Sequence, residues 1–410
     1  MPQAHVDTVV IGAGHAGLAA SWALAQHGLE HVVVEEGEIG QTWRTDRWDS
    51  FRLNTPRWMS RLPGHTLVDD EAHGFDTATE FAGALTDAVR THRLPVETGT
   101  GPATVTRAPS RGFVVRTEAG STTARNVIVA TGFQRLAVRP PLAASLSPRL
   151  LQLDTTTYRS PGGLVDGAVL VVGGGQSGAQ IADDLARAGR RVLLATSRVA
   201  RIPRRYRGRD SLQWWTESGF YEVPRADADP ALLRMRQPLL SGTGAGPSLS
   251  LRSLARLGVE LVGRLEGGTG EELRFGDDVA EHLRFADATC AALLRGIDEH
   301  IARAGIAAPP PEPDPSDEPL PGLGGDAPRS LRLDRAGIGT GIWCTGMRPR
   351  LDAVAIPGLI EDGEIAHTDG ATAVEGLHLI GAPWLSCRKS GIIWGAAADA
   401  ERIAAANATA

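Results

Sequence analysis

Short strand-like runs of apolar residues alternate along this chain with stretches of helical period, and the alternation predicts an α/β protein built from parallel βαβ units. The first unit opens on the strand-like run Val6-Asp7-Thr8-Val9-Val10-Ile11 and passes through a glycine turn, Gly12-Ala13-Gly14-His15-Ala16-Gly17. A helical stretch from Leu18 to His27 and a second strand from His31 to Val34 complete it. The plan returns from Gly167 to Val172, with the turn Gly173-Gly174-Gly175-Gln176-Ser177-Gly178, a helix from Ala179 to Ala188 and a strand from Arg191 to Ala195. Residues 285–304 read as an amphipathic helix with Phe285, Ala288, Ala292, Leu293, Gly296, Ile297 and Ile301 tending to one face. A proline-rich linker follows from Pro309 to Pro315, then strand-like runs at Gly341–Gly346 and Leu377–Gly381, and a last helix from about Gly391. The pattern predicts two Rossmann-like dinucleotide-binding domains. The first is discontinuous (1–160 and 331–410) and holds the second, 161–330, as an insertion.

Each GxGxxG turn has a mechanical reason. Its first glycine makes the tight bend, the second lets the backbone approach a pyrophosphate, and the third lets helix and strand pack closely. The helix N-terminus then offers free N–H groups to the anion. Gly12, Gly14, His15, Ala16 and Gly17 are therefore candidate cofactor contacts, as are Gly173, Gly175, Gln176, Ser177 and Gly178. The residue ending the second strand separates the two ligands. Glu35 lies at the spacing of a carboxylate that holds an adenosine ribose, with Glu36 as the neighbouring alternative, which suits FAD. The matching place in the second unit holds Thr196, Ser197 and Arg198, with no acid, which suits the 2′-phosphate of NADPH. Arg198 also reads as one more solvated arginine.

Composition narrows the function. A formal charge of −6 over 410 residues leaves no basic surface for nucleic acid. Cys290, Cys344 and Cys387 are widely spaced with no CxxC pair, against a disulfide framework, a zinc or other metal site, and a redox dithiol. The opening residues lack the basic and apolar stretches of a signal peptide, and no apolar run approaches the roughly 20 residues of a membrane span. A soluble cytoplasmic protein with small-molecule partners is expected; its oligomeric state is not legible. Of 42 basic residues all but Lys389 are arginine, which singles that lysine out.

The motifs together resemble the flavin-containing monooxygenases and their YUCCA-like and bacterial relatives. The likeness covers nearly the whole chain and is carried by the GAGHAG and GGGQSG turns, Gly40-Gln41-Thr42-Trp43-Arg44, Leu53-Asn54-Thr55-Pro56, Ala130-Thr131-Gly132, Cys344-Thr345-Gly346 and Pro383-Trp384-Leu385. Arg388-Lys389-Ser390-Gly391 and the run from Arg204 to Asp210 resemble a bacterial subgroup of FAD-dependent oxidoreductases. The resemblance implies FAD and NADPH as cofactors, with O2 and a small organic molecule as substrates. It implies insertion of one oxygen atom at a nitrogen, sulfur or carbonyl centre through a C4a-(hydro)peroxyflavin. It places Gln41, Trp43 and Arg44 along the FAD, Thr131 and Gly132 beside it, and Asn54 near the isoalloxazine. Lys389, Ser390 and Gly391 would precede a helix aimed at the flavin edge, where negative charge collects on reduction. Asn54 and Lys389 are thus the candidate catalytic residues.

Alternatives stand beside these roles. Asn54 also fits an Asx-type turn before Pro56, and Lys389 a surface ion pair. Trp214, Trp215, Phe220 and Tyr221 fit a substrate pocket or an ordinary domain core, and Tyr206 a stacking residue on NADPH. The family's histidine before the second glycine turn is replaced by Asp154, a linker residue or one that orients an arginine, and Ser386 stands where relatives often have histidine. These departures keep open an NADPH oxidase or dehydrogenase; a non-enzymatic FAD-binding protein is a separate reading, and the lack of a CxxC pair disfavours a thiol-disulfide reductase.

Overall fold

The computed structural model describes residues 4–65, 67, 69–109, 111–244, 248–325 and 327–409. In chain order the elements that build the site are β1 (Ala4–Ile11), α1 (His15–Gln26), β2 (His31–Val34), α2 (Ala78–His92), β3 (Gly120–Val129), β4 (Leu151–Asp154) and β5 (Ala168–Val172). They continue with α3 (Gln176–Arg187), β6 (Val192–Ala195), β7 (Glu260–Val262), α4 (Val279–Ala304), β8 (Ile338–Trp343), β9 (Leu377–Leu379) and α5 (Ala396–Ala408).

Two sheets carry the molecule. In the first, β9, β3, β1 and β2 lie side by side in parallel. Val9 and Val10 of β1 are fully buried, one toward each face of the sheet, because helices and loops cover both sides. Helix α1 crosses α5 through alanines on both, among them Ala16, Ala20 and Ala23 against Ala396, Ala400 and Ala404. Side chains this small let the two axes approach closely. The second sheet is wholly parallel, in the order β7-β6-β5-β8-β4.

That order crosses the expected boundaries. Strands β4 and β8 were expected in the first domain, one before residue 160 and one after 331, yet both pair within the second sheet. Parallel partners are joined by long crossovers, so nothing local in either strand says which sheet it enters. Helix α4 begins earlier than expected, and its buried stripe runs through Val279, Leu283, Ala286, Cys290 and Ile297, leaving Ala288, Ala292 and Gly296 exposed. The last helix starts at Ala396, because Gly391 sits at φ +83° and residues 391–395 form turns. Trp214 and Trp215 are core residues of the inserted domain, and Tyr206 is buried with its hydroxyl on Asp298. Among the described residues no helix is long and apolar enough to cross a membrane.

Candidate active site

One cleft of about 780 Å³ takes in both glycine turns, with Gly12, Gly14, His15 and Ala16 on one wall and Gly175, Gln176 and Ser177 on another. That volume suits a cofactor-sized ligand. The first turn is fixed by contact. Gly12 adopts φ +105°, and a Cβ on Gly17 would sit 1.9 Å from the Gly12 carbonyl oxygen. Gly14, by contrast, has nothing within 4 Å of where a Cβ would lie, so the backbone there is open to an approaching group. No side chain caps α1, which leaves its first N–H groups for an anion. The second turn repeats all of this: Gly173 at φ +112°, Gly178 at 1.9 Å from the Gly173 carbonyl, Gly175 open, α3 without a side-chain cap. Both cradles fit a dinucleotide pyrophosphate.

At the end of β2, Glu35 accepts the Ala13 N–H at 2.6 Å and the Gly37 N–H at 3.0 Å, tying the turn to the strand at the cleft wall. Glu36 pairs with Arg350 at 2.8 Å, Gln41 accepts the Glu38 N–H at 3.0 Å, and Thr131 donates to the Arg350 carbonyl at 2.7 Å. These residues, with Trp43 and Gly132, line the cleft. Arg44 does not. Its guanidinium donates to the Ile39 carbonyl and to Thr86 of α2, away from the cleft wall where it was expected.

Asn54 lines the cleft on a loop held from both sides. Arg204 donates to the Asn54 carbonyl at 2.7 Å, and the Leu53 N–H reaches the Asp76 carbonyl at 2.9 Å. The Asp76 carboxylate, 1% exposed, receives both Arg57 and Arg61. Burial alone would raise the Asp76 carboxyl, but the hydrogen bonds from Arg61 and Arg57 outweigh it and hold the group below the usual carboxylate range.

Beyond the second turn the expected 2′-phosphate set is not gathered on the cleft wall. Thr196 is 2% exposed and bonds the Val262 carbonyl and His282 Nδ1, each at 2.9 Å. Arg198 pairs with Glu281 at 2.8 Å at the surface, and Ser197 is not among the lining residues. The Lys389 ammonium meets both oxygens of Glu222 at 2.7 Å and does not line the cleft, whereas Ser390 and Gly391 do. The ion pair is the contact it makes, and α5 begins too late to lend it a helix terminus. Asp154 orients an arginine, taking Arg139 at 2.6 Å and the Thr156 N–H at 3.0 Å. Ser386 donates to the buried Asp399 at 2.6 Å.

A family profile described as pyridine nucleotide-disulphide oxidoreductase matches residues 9–230, more than half of the chain and both glycine turns. The chain belongs to this family. Over 400 residues, 97% of the oxidoreductase and 96% of the relative, it is 30% identical to an uncharacterized CzcO-like oxidoreductase of Geobacillus kaustophilus. A 194-residue stretch, 43% of the chain and 44% of the relative, is 30% identical to the indole-3-pyruvate monooxygenase YUCCA8 of Oryza sativa subsp. indica. A flavin-containing monooxygenase from Stenotrophomonas maltophilia has the same fold, with a TM-score of 0.65 at 20% identity over 99% of both chains. The protein is thus a flavin-dependent oxidoreductase of the flavin monooxygenase kind. Its three cysteines are all free, and burial pushes the thiols of Cys344 and Cys290 up, away from redox reactivity.

Arg47 and Arg388, two of the arginines on the cleft wall of this oxidoreductase, were not among the candidate residues. Arg47 lies over Trp43 at 4.9 Å and Phe51 at 5.6 Å. Arg388 is 9% exposed and lies over Phe220 at 3.5 Å, and burial lowers its guanidinium to about 10. Among so many arginines Arg47 had no local signal, and Arg388 was named only as part of the Arg388-Lys389-Ser390-Gly391 motif, in which the lysine drew the attention.

Proposed function

We propose that the protein is an NADPH-dependent FAD monooxygenase of the cytoplasm that transfers one oxygen atom from O2 to a small organic substrate, at a nitrogen, sulfur or carbonyl centre. The observation that carries this reading is the opening of two matched glycine turns onto one cleft. A bound flavin, reduced by NADPH, supplies the electrons that activate O2. The chain's own groups hold, orient and shield. The first N–H groups of α1 suit the FAD pyrophosphate and Glu35 its ribose, while α3 offers the same cradle to NADPH. Arg198 would exchange Glu281 for the 2′-phosphate. Asn54 can hydrogen-bond a ligand without releasing a proton at the pH of the cell, which suits a site where oxygen transfer must outrun protonation. Phe51, Ile392 and Ile393 line the same cleft and exclude water.

A second reading, an NADPH oxidase, draws on Asp154 and Ser386, which stand at family histidine positions and are spent on ion pairs and hydrogen bonds of the scaffold. Anaerobic mixing with NADPH followed by air decides between them. NADPH should bleach the flavin, and air with a panel of amines, sulfides and ketones should yield oxygenated product in step with NADPH use. Peroxide as the sole product across the panel favours the oxidase, and a flavin that NADPH never bleaches rules out both.

A further inference from the structure

Three arginines are buried among the described residues, and two of them are neutralised. Arg201 meets Asp287 at 3.1 Å and Asp317 at 2.5 Å, and Arg204 meets Asp210 at 2.5 Å. Arg388 has no carboxylate within ion-pairing distance among the described residues. Its Nε is buried without a partner, and its Nη2 finds only the Met235 sulfur, a weak acceptor, at 4.0 Å. A guanidinium taken out of water without a counter-ion is costly, so its retention on a cleft wall calls for an anion that arrives from outside.

The surroundings hold the cation in place. The Phe220 ring lies 3.5 Å from the guanidinium carbon and the Trp384 ring 6.0 Å from it. The Arg388 backbone N–H donates to the Val223 carbonyl at 2.9 Å, and a β-bridge joins Cys387 to Pro224. Trp384 adopts φ +53°, a strained conformation for so large a residue, and Arg225 donates to its carbonyl at 3.0 Å. Next door, Lys389 is already taken by Glu222. Leu233, Met235 and Ile392 continue the wall with apolar surface.

We propose that Arg388 anchors the substrate, and that the substrate carries a carboxylate on an apolar body of aromatic size. One planar fork matches one carboxylate through two parallel hydrogen bonds, and the neighbouring rings and methionine suit the remainder of such a molecule. This deepens the oxygenase reading by naming the substrate class of the same cleft, and it rests on that reading only for calling the bound anion a substrate.

The test is binding without NADPH, so it is independent of whether the protein oxygenates or releases peroxide. Phenylacetate and benzoate, with phenylacetamide and benzamide as their neutral counterparts, are titrated into the flavin-loaded protein by flavin difference spectra and tryptophan fluorescence. At least one acid should bind about tenfold or more tighter than its amide, the value of a charge-assisted hydrogen bond. Arg388→Met should abolish that preference with flavin content unchanged, and Arg388→Lys should restore part of it. Equal binding of acids and amides, no saturable acid binding, or a preference that survives in Arg388→Met overturns the proposal. So does an Arg388→Met protein whose flavin potential shifts while acid binding stays the same, since the guanidinium would then serve the flavin.

Discussion

The two glycine turns are near copies in backbone and strangers in side chain. Gly12 and Gly173 bend at φ +105° and +112°, and a Cβ on Gly17 or Gly178 would in each case lie 1.9 Å from the carbonyl oxygen of that first glycine. The fourth position of each turn then diverges. His15 leaves its Nε2 buried without a partner, whereas Gln176 both donates to and accepts from the Leu240 backbone, at 2.7 and 3.0 Å. The strand ends diverge as well, with Glu35 on the cleft wall and Thr196 sealed against His282. Phosphate cradling is a property of the backbone, so it tolerates only glycine where backbone meets backbone. Ligand identity is set by side chains at the rim, and there the two units are free to differ.

Alanine at the third glycine gives the largest effect and tests whether the two turns hold separate ligands. Gly17→Ala drives a Cβ into the Gly12 carbonyl, and Gly178→Ala does the same at Gly173; neither obstacle is a flexible side chain. Each should cost about 1–3 kcal/mol of stability by overpacking. Gly17→Ala should yield protein with little bound flavin, measured as the ratio of flavin to protein absorbance. Gly178→Ala should keep its flavin and lose anaerobic reduction by NADPH by at least about a hundredfold, the displaced cradle no longer meeting the pyrophosphate. Loss of flavin from both variants alike would mean that the two turns do not act independently.

A middle-sized effect separates His15 from Gln176. Burial lowers His15 from the ordinary 6.5 to about 4. A depressed folded value means that the unfolded chain takes up the proton first as pH falls. The stability associated with a neutral His15 is therefore complete above about 6.5 and lost progressively on the way down toward 4. From about pH 6.5 to about pH 5 the loss is about 2 kcal/mol. His15→Gln, which copies the second turn, should remove that part of the acid slope in urea-unfolding midpoints taken at several pH values. A slope unchanged by the substitution would place the imidazole in contact with water or with a ligand group.

How much of this was legible beforehand depended on whether the signal was local. β1, β2, β5 and β6 announced themselves through apolar runs next to glycine turns, and Glu35 through its distance from Gly17. β4 and β8 could not be assigned to a sheet, because parallel pairing joins residues such as Leu151 and Thr340 that share no local pattern. Lys389 drew attention by rarity, but rarity carries no information about what a side chain touches, and Glu222 lies far away in sequence. Arg388 was hidden for the converse reason. Its meaning lies in a missing carboxylate, and an absence of that kind is visible only once the chain is folded.

The smallest effect bears on the strand ends. Arg198 and Glu281 are 66% and 36% exposed in their side chains, so their pairing at 2.8 Å is worth at most about 1 kcal/mol. If Arg198 serves the 2′-phosphate of NADPH, the nucleotide must displace Glu281, and two variants should then move in opposite directions. Arg198→Ala should raise the KM for NADPH by up to about tenfold and leave NADH unaffected, since only NADPH carries the extra phosphate. Glu281→Gln should lower the KM for NADPH about two- to fivefold by freeing the guanidinium, with the gain shrinking as salt is added because both groups meet solvent. If both variants weaken NADPH and NADH equally, the pair only braces α4 against the end of β6, and the choice between the nucleotides is made elsewhere on the cleft, with Arg47 as the next group to change.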